Sequence, residues 1–454
     1  MPNKKGFVSL PFDKEEIVKD YRLAWQSRQV SLIGRREVLS GKAKFGIFGD
    51  GKEIPQLAIA RAFRKGDWRS GYYRDQTWMF ALGVTSVQEF FAQLYAHADP
   101  AHEPASGGRQ MNAHFASRNL FPDGTWRPQT AMYNAASDVS PTASQMPRAV
   151  GLAYASVLYR SLKELQNFKN FSRNGDEVVF ASIGNASAAE GLFWESVNAI
   201  GVLKAPAIVT IYDDGYGISV PNQFQMTKEN IGALLKGFER DPEAPPDKIE
   251  RGFDCYTVHA WDYPALVETY LSAAEIAREY HIPALVHVVD ATQPLGHSTS
   301  GSHERYKTPE RLKWEEEFDG IRRMRRWMLE KGEKEKPLII TEYGILMPVE
   351  YGFTAERVNA YMDATFDWLL NAKDEALGYG ADEGRLVQRW LWCSLNDQPY
   401  DTQTGKGFNG ALFDYRYPIY PGVLTPVGAY FRDYTNVLVM PRIGVVSPST
   451  GSYR

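Results

Sequence analysis

The sequence predicts an α/β fold, doubly wound around a parallel sheet. Three apolar runs, Val178 to Ile183, Ala207 to Tyr212 and Ala284 to Val289, have strand length and are apolar on both faces. Helical runs alternate with them, the pattern of parallel crossover units. Taken in order, Lys14 to Gly41 reads as a helix, and a second runs from Ile54 to Arg64. Gly66 to Gln76, rich in Gly, Arg and Tyr, reads as a loop, and Ser86 to Ala96 resumes helix. Ala101 to Ser137 carries Gly, Pro, Asn and Ser throughout without periodicity, which predicts a long irregular segment lining something. Ser144 to Leu162 is helical and leads to the first apolar strand; Ala188 to Val202 is the crossover helix to the second. A loop through Asp241 to Arg251 follows, then a short strand near Tyr256 to His259, a helix from Pro264 to Tyr280 and the last apolar strand.

A chain of 454 residues is long for one domain and predicts two or three. A net charge of -4 provides no basic field, and no Lys/Arg stripe is interleaved with aromatics, so nucleic acid is excluded as a partner. Two cysteines, Cys255 and Cys393, form no disulfide framework and no metal spacing, and read as packed thiols in a reducing compartment. The first twelve residues lack the apolar core of a signal peptide, and no run of about eighteen apolar residues occurs. A cytoplasmic protein without a membrane partner is expected.

The chemistry concentrates in Gly184 to Ser219. Asn185 follows one apolar strand and Asp214 the next, with a helix between, so one amide and one carboxylate stand at the carboxyl edge of the sheet, where open α/β sheets bind ligands. Small residues beside them let backbone amides approach an anion at a helix N-terminus. This run resembles the thiamine diphosphate motif in the alpha chain of the decarboxylating component of 2-oxo acid dehydrogenases. The family opens with Gly-acid-Gly and closes with Asn-Asn; here the opening is Gly184-Asn185-Ala186 and the close Asp213-Asp214, so carboxylate and amide are exchanged. The resemblance spans about Asp20 to Arg311 and is nearest to the branched-chain type, in the bacterial form with fused alpha and beta chains.

The resemblance implies the rest of a site. Asn185, Asp214 and the carbonyl of Tyr216 would hold Mg2+; Tyr73, Arg74, Ser140, Ala186 and Ser187 would surround the diphosphate, Arg74 with its planar fork. His297, in QPLGHSTSGSHERYK, falls where the family keeps a cofactor-proximal histidine that manages protons at near-neutral pKa, and His303 is the weaker candidate. The segment beginning at Ser140 resembles a potassium loop, implying K+ on Ser144, Gln145 and the carbonyls of Val139 and Pro141; Ser144 also reads as a helix N-cap. Tyr212 replaces an arginine of the relatives, so weaker cofactor binding is expected. Gly49-Asp50-Gly51 spells the usual opening motif but follows no clean strand, and Asp50 reads instead as a helix cap or a residue near the substrate entrance. The implied partners are a dehydrogenase beta chain, which brings half of the catalytic centre, a lipoyl-bearing acyltransferase and a 2-oxo acid, in an oligomer.

After about residue 330 the composition changes. Lys336 to Tyr430 resembles the closing quarter of a glycoside hydrolase (β/α)8 barrel, with Glu342 in the place of the nucleophilic carboxylate and Trp392 as a sugar platform. Two strand-helix units cannot close a barrel, and the strand of the second carboxylate needed by a retaining mechanism is missing. The sequence therefore predicts a chimeric chain: residues 1–328 as the dehydrogenase alpha module and 329–454 as an incomplete barrel fragment. Its function is oxidative decarboxylation of a 2-oxo acid with a beta chain in trans, with a glycosidase remnant or a non-catalytic cofactor-binding module as the alternatives.

Overall fold

A computed structural model of the chain describes residues 13–241, 243, 245, 251–330, 338–345, 352–374, 379, 382–393, 403, 411–414 and 423–439. Two compact units divide at Arg325 and Arg326, against the expected boundary after residue 328. The first unit opens with helix α1 (Lys14–Leu39), whose N-cap Asp13 accepts the Glu15 amide, and α2 (Glu53–Ala62). Strand β1 (Trp68–Ser70), α3 (Gln76–Leu82) and α4 (Val87–Leu94) follow, α4 starting in a Ser86/Glu89 capping box. Then come β2 (Asn134–Ala135), α5 (Gln145–Ser161), β3 (Val179–Gly184), α6 (Gly191–Leu203) and β4 (Ala207–Tyr212). A short ribbon of β5 (Tyr216–Gly217) and β6 (Val220–Pro221) precedes α7 (Ile231–Leu235), β7 (Asp254–His259), α8 (Tyr263–Tyr280), β8 (Ala284–Val289), α9 (Pro309–Glu317) and α10 (Gly320–Glu330).

The sheet is parallel throughout, in the order β2-β1-β3-β4-β8-β7. Its middle strands are buried on both faces, as near-continuous apolar runs require. Alternation along them divides two cores. Val179, Ala181 and Ile183 of β3 and Val209 and Ile211 of β4 pack with Phe193, Val197 and Ile200 of α6 and Ala149 and Ala153 of α5. On the opposite face Phe180 meets Phe63 and Trp78, and Thr210 bonds Tyr270 of α8 at 2.9 Å. The helices thus cover both sides, as a doubly wound sheet demands.

Two strands lie where loop was expected. Both β1 and β2 are short and polar, and β1 is held by a buried charge network: Arg69 reaches Asp75 at 2.8 Å and Asp138 at 3.0 Å. The crossover helix also starts later than Ala188, at Gly191, after a single 3-10 turn over Ser187–Ala189. The chain leaves β1 toward β2 on one side and leaves β3 toward β4 on the other. This is a topological switch point, and a crevice opens beyond the carboxyl ends of β1 and β3.

The second unit pairs β9 (Ile339–Tyr343) with β10 (Arg389–Trp392) in parallel and adds α11 (Ala355–Asn371), a ribbon of β11 (Phe413–Asp414) and β12 (Val423–Leu424), and α12 (Pro426–Val439). Val358, Met362, Phe366 and Leu369 of α11 form its core with Val387, Trp392, Leu412 and Val427. Trp392 is therefore not a sugar platform: it is 8% exposed, with Tyr343 and Phe366 against its ring. The side chain of Glu342 lies outside the described residues. Among the described residues no helix is long and apolar enough to cross a membrane.

Candidate functional site

A cavity of about 370 Å³ occupies the switch-point crevice. Much of its wall is built from the residue runs that follow strands. After β1 come Tyr72, Tyr73 and Arg74; after β3, Asn185, Ala186 and Ser187; after β4, Asp214 and Tyr216; after β8, Gln293 and His297. Four segments distant in sequence converge because parallel strands deliver their carboxyl ends to one edge.

Arg74 is buried, and its fork is committed on one side. Nη1 donates to the Phe48 carbonyl at 2.7 Å, and Nη2 to the His297 carbonyl at 2.9 Å and to His297 Nδ1 at 3.1 Å. A guanidinium can only donate, so His297 Nδ1 accepts and the ring proton sits on Nε2. Its ring is not poised near neutrality as expected. Burial, then the charge of Arg74, lowers the His297 pKa from 6.5 to about 4, leaving a neutral imidazole.

His281, whose Nε2 donates to the Gly175 carbonyl at 2.8 Å, is likewise lowered by burial to about 4. Both histidines take up protons in the unfolded chain before the folded one. Their stabilisation is complete above the unfolded value of 6.5 and is lost as pH falls toward 4. Melting temperature should fall steadily over that window, and a flat profile between neutral pH and pH 4 would contradict the burial of these two rings.

Asp214 ends β4 in a tight turn, its Oδ1 accepting the Tyr216 amide at 3.1 Å. Its Oδ2 lies 3.0 Å from Lys52 Nζ. Burial works against ionisation of Asp214, but the ammonium of Lys52, then Arg74 and Lys307, holds its pKa below the usual carboxylate range. Lys52 was not a sequence candidate. It stands at the N-cap position of α2, directly after Gly49-Asp50-Gly51, and that run does structural work. Asp50 is no helix cap: its Oδ2 accepts Gln293 Nε2 at 3.0 Å and the Leu295 amide at 2.9 Å. Gly51 has φ +83°, and a Cβ there would lie 2.0 Å from the Thr292 carbonyl oxygen, so only glycine lets α2 begin against this loop. A lysine placed in an apolar helix start after two glycines was the available signal.

Asn185 donates through Nδ2 to Asn222 Oδ1 at 2.6 Å, and Asn222 in turn donates to Asp213 Oδ1 at 3.0 Å. Tyr212, at 1% exposure, lines the cavity with a hydroxyl that has no hydrogen-bond partner among the described residues. Burial raises its pKa well above 10.0, so it can only serve as a neutral hydroxyl.

Other expected residues fall elsewhere. The segment before α5 reaches the cavity at Thr142, whereas Ser140 is exposed and its Oγ engages His114 Nε2 at 3.1 Å. Val139 is 40% exposed. The Pro141 carbonyl accepts the Ser144 amide at 3.2 Å, and Gln145 Nε2 donates to the Ser182 carbonyl at 3.0 Å. Ser144 holds the N-cap position without a side-chain capping bond. Of these four residues, the expected potassium ligands, Gln145 ties the start of α5 to β3.

The family described as "Dehydrogenase E1 component" matches residues 22–338. The 2-oxoisovalerate dehydrogenase subunit alpha of Bacillus subtilis (strain 168) is 26% identical over 358 residues, 78% of this chain and 93% of that protein. The mitochondrial subunit alpha of the same name from Dictyostelium discoideum is 26% identical over 337 residues, 73% of this chain and 66% of that one. The human protein of that name is 24% identical over 334 residues, 71% of this chain and 63% of its own length.

Proposed function

The chain belongs to the dehydrogenase E1 component family, and from that premise we propose that it is the alpha part of a thiamine diphosphate-dependent 2-oxo acid dehydrogenase acting on branched-chain substrates. The observation that carries this is the single cavity at the switch point, in which Tyr73, Arg74, Asn185, Ala186, Ser187, Asp214, Tyr216 and His297 meet. When bound, thiamine diphosphate supplies the electron sink for loss of carbon dioxide from a 2-oxo acid. The chain's own residues bind and orient. Arg74 brings a buried positive charge to the cavity wall, suited to diphosphate oxygens. Ala186 and Gly184 leave room for backbone to approach. His297, neutral and protonated on Nε2, serves as a hydrogen-bond donor rather than a charged acid.

Magnesium on Asn185, Asp214 and Tyr216 does not fit what these residues do. Asp214, the one carboxylate of the set, is already ion-paired with the buried ammonium of Lys52. A beta chain in trans completes the centre, and a lipoyl-bearing acyltransferase receives the acyl group. The branched-chain preference follows the relatives' names.

The test is thermal. Thiamine diphosphate at a hundred times its dissociation constant should stabilise the protein by about 2.7 kcal/mol. No rise in melting temperature, with or without magnesium, would sink the assignment. Decarboxylation of 2-oxoisovalerate with an artificial electron acceptor should then require addition of a beta chain. Stabilisation without any turnover in its presence would favour a non-catalytic cofactor-binding module.

A further inference from the structure

The carboxylate that a divalent cation would need already holds a cation supplied by the chain. Lys52 Nζ lies 3.0 Å from Asp214 Oδ2, 2.8 Å from the Thr292 carbonyl and 2.5 Å from Gln293 Oε1. Three N–H donors meet three oxygens, so the ammonium is saturated within the protein. Its side chain is 2% exposed, and that of Asp214 15%. The close approach of Gly51 to Thr292 puts Lys52 at this point, since it brings the start of α2 against the loop that provides two of the three oxygens.

The surroundings are already positive. Lys307 and Arg311 share one carboxylate, Glu315, at 2.7 and 2.8 Å, and Arg311 also donates to the Asp214 carbonyl at 2.8 Å. Arg74 donates to carbonyls and to an imidazole. A divalent ion on Asp214 would share its oxygen ligand with a buried ammonium, and salt screens buried charges little. Arg74 meanwhile presents a buried positive charge at the cavity wall for an anion.

We propose that Lys52 stands in for the divalent cation at Asp214, so that this chain binds the diphosphate of its cofactor without magnesium. The inference rests on the thiamine diphosphate reading above. In it, the Lys52–Asp214 pair is a fixed neutral floor, and Arg74, with the one charge that Lys307 and Arg311 hold in excess of Glu315, faces the diphosphate.

Calorimetric titration of thiamine diphosphate into the full chain, in EDTA and in magnesium chloride, tests it. The two dissociation constants should agree within about threefold. Binding at least about tenfold tighter in magnesium overturns the proposal while leaving the cofactor assignment intact. Absence of binding in both buffers overturns the cofactor assignment, and this proposal with it. A second measurement needs no cofactor: electron paramagnetic resonance of added Mn2+ should show only free ion with the wild-type chain. Mn2+ bound by the wild type and released in Asp214→Asn overturns the proposal. Lys52→Met, which uncovers the carboxylate, should gain bound Mn2+ and make thiamine diphosphate binding magnesium-dependent by about tenfold or more. If that variant does not fold, the two wild-type measurements still decide.

Discussion

Asp214→Ala is expected to destabilise the chain by about 3–5 kcal/mol near neutral pH, the effect of stranding one member of a buried ion pair. Lys52 would keep its two neutral acceptors, Thr292 and Gln293, but lose the carboxylate that is ion-paired with its ammonium. Burial already lowers the Lys52 pKa, and Asp214 is the largest influence opposing that. Without Asp214 the folded pKa drops further below the unfolded value of about 10.4, so the folded variant binds fewer protons over that interval. Its deficit relative to wild type should shrink as pH rises from neutral toward 10. Adding Lys52→Met should recover most of the loss, because an apolar side chain of similar volume needs no partner. Urea denaturation of the two single variants and the double variant measures the coupling directly. A loss below about 1 kcal/mol for Asp214→Ala would place the pair among solvated surface ion pairs and remove its claim to organise the cavity.

This pair also marks where the sequence was legible and where it was not. The strands β4 and β8 are bounded as their apolar runs predict, because burial on both faces forces a continuous apolar string. The positions after those strands were readable for the same reason: a parallel sheet places them at one edge. What escaped was everything fixed by charge over long sequence separation. Trp68–Ser70 lies in the run from Gly66 to Gln76 that reads as loop for its Gly, Arg and Tyr, and the pairing with Asp75 and Asp138 explains how Arg69 is buried in a strand. Lys52 escaped likewise: its acceptors lie 162 to 241 residues away, and no local pattern announces them. Gly49-Asp50-Gly51 was read apart from the ligand-binding motif, and its Gly51 makes the contact that positions the lysine. Ser140 shows the limit of motif carry-over, since one residue of a segment can be at the right place in the chain and still be bonded elsewhere.

Arg74→Met should weaken thiamine diphosphate binding about a hundredfold, since hydrogen bonds from a charged donor contribute about 1.5–3 kcal/mol each. The same substitution should change His297. Its Nδ1 loses the donor 3.1 Å away and its carbonyl the one at 2.9 Å, so the ring is freed to exchange tautomers and to turn. Burial, the larger cause of its low pKa, remains, but the repulsion from Arg74 disappears and the pKa must rise from about 4. Titration of the His297 Cε1 proton by NMR reads this without reference to activity. Arg74→Lys separates charge from shape: it keeps the repulsion and the pull on a diphosphate but cannot bridge the Phe48 carbonyl and the His297 backbone and ring at once. Binding that survives in the lysine variant would mean that charge alone recruits the anion. Binding lost in both, with the low histidine pKa retained only in the lysine variant, would mean that the fork holds the loop after β8 in place and that this loop, as much as the charge, shapes the cavity for its ligand.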